Sequence, residues 1–151
     1  MVDVRAIAAE DIGAILKLAA ETPDAPHWDR SAYEQILSPD KEMRAPRAAW
    51  VATNGPDLLG FTVVHLVAEV CELESIVVAK PAQRKGVGKS LLNAVTEWSL
   101  ASGAQKLELE VRADNEPAIA FYESAGLIRE GLRIGYYRDP QDDAVLMGKR
   151  L

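Results

Sequence analysis

The sequence predicts an α/β fold, with a mixed sheet of about seven strands and four helices. One observation behind this is the strict alternation of KLELEVR, Lys106 to Arg112, where apolar and charged residues occupy opposite faces. A period of two is typical of a half-buried strand. The second observation is a run of apolar residues at helical spacing, which predicts a long amphipathic helix from about Gly86 to Ser102. Strands on both sides of this helix indicate a mixed sheet.

The first half of the chain predicts one strand, two helices and three further strands. Asp29 or Ser31 is the predicted cap of the second helix, which ends near Leu37. The turn-rich sequence between Asn54 and Asp57 predicts an antiparallel hairpin. The ranges that support these elements are, in order, the alternating Val2, Val4 and Ala6; the helically spaced Ile12, Ile15, Leu16 and Ala19; and the apolar strands Ala48 to Thr53, Leu58 to Val67 and Cys71 to Ala79.

The second half predicts one more helix and three strands. Gly103 is expected to end the long helix, and Lys106 to Arg112 form the next strand. Asp114 or Asn115 then caps a helix that Gly126 ends. No repeat or linker interrupts the chain, so residues 1–151 are predicted to form a single domain. The two closing strands are predicted at about Leu127 to Tyr137 and Ala144 to Lys149.

Composition and charge restrict the classes of function. The net charge is −6 and the pI is near 5.0, so DNA is a poor partner and a cationic substrate is favoured. Two histidines and the single Cys71 argue against a metal site, and Cys71 is predicted to be a small core residue. No apolar run approaches the ~20 residues of a membrane span. With no secretory signal visible at the N-terminus, a cytoplasmic location is predicted.

The stretch QRKGVGKS, Gln83 to Ser90, carries the main functional signal. It is not a Walker loop, because that motif requires a glycine where Gln83 stands, and it is not GxGxxG, because Leu91 occupies the third glycine position. A strand, a glycine loop and a helix start nevertheless form a general receptor for anions, since free amides and the helix dipole point at the ligand. The residues alone predict a phosphate-like ligand.

Four segments extend this signal over nearly the whole chain. QRKGVG matches the [QR]xxGx[GA] acetyl-CoA loop of GNAT acyltransferases, at the expected position after the fourth strand. LEVRADNEPAIAFYESAG, GYYRDPQDDAVLM and PHWDRSAYEQ resemble segments of RimI-type enzymes, the bacterial ribosomal-protein alanine N-acetyltransferases. Departures from that pattern at Asp114, Leu127 and the pair Asp142-Asp143 bear on the acceptor. The resemblance implies the GNAT fold, mostly antiparallel with a central parallel pair (strands 4 and 5), and acetyl-CoA as cosubstrate without a metal.

The resemblance also implies which residues hold the coenzyme. In the family, loop amides bind the pyrophosphate, the main chain of a bulged fourth strand pairs with the pantetheine arm, and a helix asparagine hydrogen-bonds that arm. The matching positions here are Ile76, Val78, Arg84, Gly86, Val87, Gly88, Lys89, Asn115 and Tyr122.

Acetyl transfer to an amine requires a base, a polarised carbonyl and a proton for the departing thiolate. Glu110 matches the general base of the family, Tyr122 its general acid, and the amide of Val78 is the expected carbonyl partner. A phenol has a pKa near ~10, so it can protonate a thiolate and otherwise stays neutral. On the residues alone, a solvated carboxylate paired with Arg112 or Lys106 is the preferred interpretation of Glu110, and Tyr122 is equally a core aromatic.

The acceptor side is less closely specified. Glu72 and Glu74 are alternatives for holding a reactive water, and Tyr136 and Tyr137 resemble acceptor-side tyrosines. Trp28 either forms the other wall or packs on the second helix. The acceptor is predicted to be a protein α-amino group, most like that of a basic ribosomal protein, with a small amine (polyamine, amino acid or drug) as the alternative. A non-catalytic acyl-CoA-binding module is the third hypothesis, and a monomer and a homodimer are both compatible with the sequence.

Overall fold

A computed structural model describes residues 1–38 and 46–151 of the chain. The predicted order of strands and helices is confirmed. Two 3₁₀ turns, Ala9–Asp11 and Lys80–Ala82, were not predicted. The elements are β1 (Asp3–Ala6), α1 (Ile12–Ala20), α2 (Arg30–Leu37), β2 (Arg47–Asn54), β3 (Asp57–Val67), β4 (Val70–Val78), α3 (Val87–Ala101), β5 (Lys106–Arg112), α4 (Glu116–Ser124), β6 (Ile128–Tyr137) and β7 (Asp142–Arg150).

Seven strands form one mixed sheet in the order β1-β2-β3-β4-β5-β7-β6. Neighbouring strands are antiparallel except for the central pair β4 and β5, which are parallel, as the resemblance implied. Parallel neighbours require a crossover rather than a tight turn, and α3 provides it. The start of α3 therefore lies at the end of β4.

Helices cover both faces of the sheet, and each face has its own apolar core. The side chains of Leu107, Leu109 and Val111 are buried on the face of α3 and α4, which confirms the alternation read from KLELEVR. Burying one such side chain contributes about 1.5–3 kcal/mol. The core under α3 and α4 includes Cys71, Leu92, Val95, Ile119 and Met147, and the core under α1 and α2 includes Ile12, Ile15, Tyr33, Phe61 and Val63.

The two central strands separate soon after they meet. Parallel pairing joins Val70–Glu72 to residues 106–108, and no later pair joins β4 to β5 in the described chain. A β-bulge follows at Glu74. Leu73 and Ser75, on either side of it, pair with the consecutive residues Val64 and Val63 of β3, so Glu74 has no partner on that strand. Bulges bend a strand and increase its twist, so the bulge accounts for the divergence. The result is a gap bordered by main-chain groups of both strands.

The helix boundaries follow the capping signals of the sequence. The side chain of Asp29 accepts a hydrogen bond from the amide three residues later at 3.0 Å, and that of Asn115 does so at 3.3 Å. Asp29 rather than Ser31 therefore caps α2, and Asn115 rather than Asp114 caps α4. Gly103 and Gly126 follow α3 and α4 with φ values of +83° and +94°, a conformation that glycine adopts without strain.

The long helix α3 buries its predicted apolar face and, in addition, the polar residue Ser99. Of the apolar residues at helical spacing, Val87, Leu91, Leu92 and Val95 are buried and Trp98 is half-buried. Ser99 is also buried, and its hydroxyl donates to the carbonyl of Val95 at 2.7 Å, so the polar group is satisfied within the helix. Among the described residues, no helix is long and apolar enough to cross a membrane.

The close approach of β3 to β4 at Gly60 provides a test of the packing. An added Cβ at Gly60 would lie 2.6 Å from the carbonyl oxygen of Val77, whereas at Gly13 in α1 the nearest atom is 3.8 Å away. We expect Gly60→Ala to lower the free energy of unfolding by ~2 kcal/mol through this overlap. Gly13→Ala should raise it by up to ~1 kcal/mol, because alanine favours helix. Urea unfolding followed by circular dichroism measures both, and a Gly60 variant as stable as the wild type would contradict the packing.

Candidate active site

A cleft of about 680 Å³ lies where β4 and β5 separate. Its walls come from the segment between α1 and α2, from both central strands, and from β6 and β7. It contains Glu110 and every residue predicted for the acceptor side. The lining residues are Pro26, Trp28, Glu72, Leu73, Glu74, Glu108, Leu109, Glu110, Glu130, Arg133, Tyr136, Tyr137, Leu146 and Met147.

Glu110 lies on the cleft face of β5, because both of its neighbours along the strand are buried on the other face. Its Oε1 lies 3.4 Å from Nε of Arg133, and its side chain is 30% exposed. The charge of Glu110 is the main reason that the pKa of Tyr136 lies above its ordinary value. The ionic partner is thus Arg133, whereas Arg112 and Lys106, the partners considered from the sequence, pair with other carboxylates.

The two glutamates of β4 differ in their partners. Glu74, the bulge residue, accepts hydrogen bonds from Arg47 at 2.7 and 3.3 Å. The side chain of Glu72 is 52% exposed and lies 4.0 Å from Nδ1 of His65. Glu72 therefore offers the more accessible carboxylate to a positively charged acceptor.

Lys106 bridges the remaining two glutamates of the cleft. Its ammonium lies 3.0 Å from Glu108 and 2.8 Å from Glu130. The hydrogen bond to Glu130, followed by the one to Glu108, raises the pKa of Lys106 above its ordinary value. This corner of the cleft is therefore partly neutralised within the chain.

Tyr136 and Tyr137 stand side by side in the cleft, with ring centroids 5.1 Å apart and planes at 80°. The guanidinium of Arg133 lies 5.5 Å from the ring of Tyr136, and that of Arg112 lies 4.4 Å from the ring of Tyr137. Burial, and then the charge of Glu110, raise the pKa of Tyr137. Tyr136 is exposed and Tyr137 half-buried, so the pair presents two phenols at different depths.

Trp28 makes both kinds of contact considered from the sequence. Its ring lies 5.7 Å from that of Tyr33 on α2, and it also lines the cleft. The guanidinium of Arg47 lies 6.0 Å from the same ring. Trp28 therefore connects the core under α1 and α2 to the wall of the cleft.

Tyr122 lies on the opposite face of the sheet from Glu110, in the core under α3 and α4. Its residue is 8% exposed. Burial, and then the proximity of Tyr137, raise the pKa of Tyr122 above the usual range of a phenol, so it remains protonated at neutral pH. Tyr122 does not line the cleft described above, and the two residues predicted as acid and base approach the opened sheet from different sides.

The loop before α3 presents a run of unpaired amides. The N–H groups of residues 84–89 have no backbone acceptor in the described chain, and the first bond of α3 runs from Ser90 to the carbonyl of Gly86 at 3.0 Å. Gly86 has a φ of +83° and open space around it, so its backbone conformation requires glycine. An added Cβ at Gly88 would lie 3.2 Å from the ring of Phe121, so glycine lets α3 and α4 pack closely here without displacing that ring.

The other predicted coenzyme residues border the gap or the loop. Ile76 and Val78 follow the bulge on β4, beyond its last pair with β5, and both are half-buried. The side-chain amide of Gln83 donates to the carbonyl of Val78 at 3.1 Å and so ties the loop to the strand. The side-chain oxygen of Asn115 caps α4. In the loop and the first turn of α3, Arg84 and Lys89 are exposed and Val87 is buried.

Three arginines of the cleft region were not predicted as site residues. Arg133 contacts Glu110, Arg112 contacts Tyr137, and Arg47 contacts Glu74. Each partnership joins separate strands or the ends of strands, so sequence spacing gives no signal for it. Among the described residues, no three His, Cys, Asp or Glu side chains are grouped to hold a metal ion.

The opened parallel pair and the amide loop at its end are the features that the resemblance to acetyl-CoA-dependent acyltransferases implied. Residues 12–127 match the Acetyltransferase (GNAT) family. The chain belongs to this family, and the protein is an N-acetyltransferase.

Individual relatives agree with that assignment. The N-alpha-acetyltransferase RimI of Mycobacterium tuberculosis is 30% identical over 125 residues, which cover 80% of this chain and 73% of that protein. The crystal structure of the ribosomal-protein-S18-alanine N-acetyltransferase from Escherichia coli superposes with a TM-score of 0.82 at 27% identity, covering 99% of this chain and 94% of that one. Arabidopsis thaliana NAA60 in complex with acetyl-CoA has a TM-score of 0.86 over 100% of this chain and 99% of its own, but at 16% identity it shares the fold alone.

Proposed function

We propose that this N-acetyltransferase acts on the α-amino group at the N-terminus of a basic protein, such as a ribosomal protein. The observation that carries the proposal is the cleft at the opened sheet, whose five glutamates are paired, among the described residues, with only three cations, Arg47, Lys106 and Arg133. An extended basic N-terminus brings an α-ammonium and cationic side chains to such a surface, and opposite potentials favour that encounter. The names of the Mycobacterium and Escherichia relatives support this class of acceptor.

The loop and the edge of β4 fit coenzyme A. Free amides at residues 84–89 and the N-terminal dipole of α3 are suited to a pyrophosphate, and the exposed Arg84 and Lys89 add positive charge. Beyond the bulge, the main chain at Ile76 and Val78 is free of β5 and can pair with an amide-containing arm. Acetyl-CoA supplies an activated acetyl thioester when bound. In our proposal Asn115 contacts its arm from the start of α4.

We assign Glu110 as the base that takes a proton from the acceptor ammonium, directly or through water. An α-amino group has a pKa near ~8, so at neutral pH most of it must lose a proton before it can attack. The Glu110 carboxylate is accessible in the cleft, and its ionic partner is Arg133 at 3.4 Å. Glu72 and Glu74 supply further negative charge that stabilises the incoming ammonium.

We assign Tyr122 as the proton donor to the leaving thiolate, and the amide of Val78 as the partner of the acetyl carbonyl. The raised pKa of Tyr122 ensures that it carries its proton at neutral pH. The same burial makes it a weaker acid, but a thiolate formed in that apolar surrounding also gains proton affinity. Glu110 therefore accepts a proton from the amine on one face of the sheet, and Tyr122 donates a proton to the thiolate from the other face. The two proton transfers do not compete for one position.

The acidic cleft also attracts free polyamines, so charge alone does not exclude them. The paired phenols of Tyr136 and Tyr137 favour a peptide, because they add aromatic surface and hydrogen-bonding groups next to Glu110. A non-catalytic acyl-CoA module does not agree with membership of the acetyltransferase family. A cytoplasmic location, where nascent or ribosomal N-termini are available, is part of the proposal.

Gly86 and Gly103 provide a matched pair of variants for the loop. Both have a φ of +83° and neither meets an atom within 4 Å when a Cβ is added. Alanine at either position costs about 1–2 kcal/mol of backbone strain. We expect Gly86→Ala to weaken coenzyme A binding ~10-fold as the loop relaxes, and Gly103→Ala to leave it unchanged. Isothermal titration calorimetry with coenzyme A measures this, and equal affinities of the two variants would contradict the assignment.

The acid–base assignment predicts a loss of turnover without a loss of coenzyme. Glu110→Gln and Tyr122→Phe are each expected to lower kcat by ~10²-fold or more, because each removes one proton transfer. Coenzyme A affinity should stay within ~2-fold of the wild type. Initial rates with a basic N-terminal-alanine peptide measure kcat, and Glu123→Gln, an exposed glutamate outside the cleft, is the isosteric control. Wild-type turnover in both variants would refute the mechanism.

The acceptor class is tested with a panel of amines. Mass spectrometry after incubation with acetyl-CoA compares N-terminal-alanine peptides that carry basic or acidic residues at positions two and three, lysine peptides and polyamines. We expect the basic peptide to be acetylated ~10-fold or more faster than the acidic one, and Glu72→Gln to reduce this preference by removing the most accessible carboxylate. Acetylation of polyamines alone would overturn the protein acceptor.

A further inference from the structure

One arginine beside the cleft joins three separate segments of the chain. Arg112, the last residue of β5, donates from Nη1 to the carbonyl of Pro140 at 2.8 Å and from Nη2 to that of Arg138 at 3.4 Å. Its Nε lies 3.6 Å from Oδ1 of Asp24, and its guanidinium carbon lies 4.4 Å from the ring centroid of Tyr137. The side chain is 16% exposed, while the two carbonyls that it contacts belong to exposed residues.

The segments that Arg112 joins each contribute residues to the lining of the cleft. Asp24 lies between α1 and α2, on the segment that continues to Pro26 and Trp28 in the cleft. The carbonyls of residues 138 and 140 belong to the turn that follows Tyr137, also in the cleft. Arg112 itself follows Glu110 on β5 by two residues and shares its face. One guanidinium therefore sets the position of both walls relative to the strand of the proposed base.

The contacts of Arg112 require arginine rather than any cation. A guanidinium is a planar fork that donates in several fixed directions and stacks on an aromatic ring at the same time. A lysine ammonium keeps the attraction to Asp24, but it cannot lie over the ring of Tyr137 while donating to two carbonyls. The two hydrogen bonds and the stack are thus lost or weakened together when the fork is removed.

We propose that Arg112 is a positioning residue for the acceptor, which holds the wall around Trp28 and the wall around Tyr137 at the separation that the acceptor requires. Arg112 acts through these walls and not by contact with the reacting atoms. This rests on the proposed function in that the cleft is taken as the acceptor site. The coenzyme loop and α3 lie outside the contacts of Arg112, so its removal acts on the acceptor and spares acetyl-CoA.

Steady-state kinetics with a basic N-terminal-alanine peptide and with acetyl-CoA test the proposal. We expect Arg112→Met to raise KM for the peptide ~10-fold, and Arg112→Lys and Asp24→Asn to raise it ~3-fold, with KM for acetyl-CoA within ~2-fold throughout. The control is Arg129→Met, which removes an exposed arginine that pairs with Glu123 at 3.7 Å outside the cleft and should change neither constant. Equal changes in the two KM values, or a fall in kcat alone, would overturn the proposal.

A second variant and a hydrogen-exchange measurement test the positioning role of Arg112 independently of the folding of Arg112→Met. If circular dichroism shows that Arg112→Met does not fold, the Asp24→Asn variant, changed at a 58% exposed side chain, decides by the same comparison of KM values. Hydrogen exchange without any acceptor should show faster exchange in residues 22–28 and 138–141 of Arg112→Met and unchanged exchange in residues 84–89. Unchanged exchange in the two walls would overturn the positioning role.

A failure of the proposed function would give a different result from a failure of the positioning role. In that case the wild type acetylates no peptide N-terminus, while the exchange of the two walls still responds to Arg112→Met. The same comparison of KM values is then made with the amine that the acceptor panel identifies, and a rise for that amine alone supports the positioning role.

Discussion

The separation of β4 from β5 is the constraint on which the rest of the site depends. In a closed sheet the main-chain groups of the two strands would satisfy one another, but the bulge at Glu74 turns β4 away after Glu72 and leaves both edges free. The parallel direction of the pair requires a crossover helix, so α3 begins where β4 ends and its unpaired amides lie at the mouth of the gap. The gap and the amide loop, to which we assign coenzyme A, therefore arise from one topological feature.

The alternation of a single strand supplies both chemical environments of the site. On β5, Leu109 and Val111 face the apolar core that surrounds Tyr122, whereas Glu108 and Glu110 face the polar cleft. Burial in the core keeps the phenol protonated, and the cleft keeps its carboxylates accessible to a cation. A one-residue slip of β5 would exchange the two sets of side chains, so the register against β7 is as important as the identity of Glu110.

Local signals in the sequence were sufficient for the elements, whereas the ionic partners were not predictable. The spacing of apolar residues, the helix caps and the glycines predicted every strand and helix. Each of these signals depends only on residues within a few positions of one another. The partner of Glu110 lies on β6, which is separated from β5 by β7, so it depends on sheet order rather than on spacing. Asp114 and Asp142 show the same limit: two departures from the family pattern meet, because Asp142 accepts a hydrogen bond from the amide of Asp114 at 3.0 Å.

The cleft is less acidic than its glutamates suggest, and this bears on how an acceptor is bound. Arg47 neutralises Glu74, the single charge of Lys106 is shared by Glu108 and Glu130, and Arg133 lies at 3.4 Å from Glu110. The pair with Arg133 is the one that an acceptor can replace most easily, because Arg133 is 56% exposed and exposed ion pairs contribute little. An incoming ammonium that takes the place of Arg133 reaches the proposed base directly. Breaking this exposed pair costs little, so the acceptor can displace Arg133 from Glu110 without a large penalty.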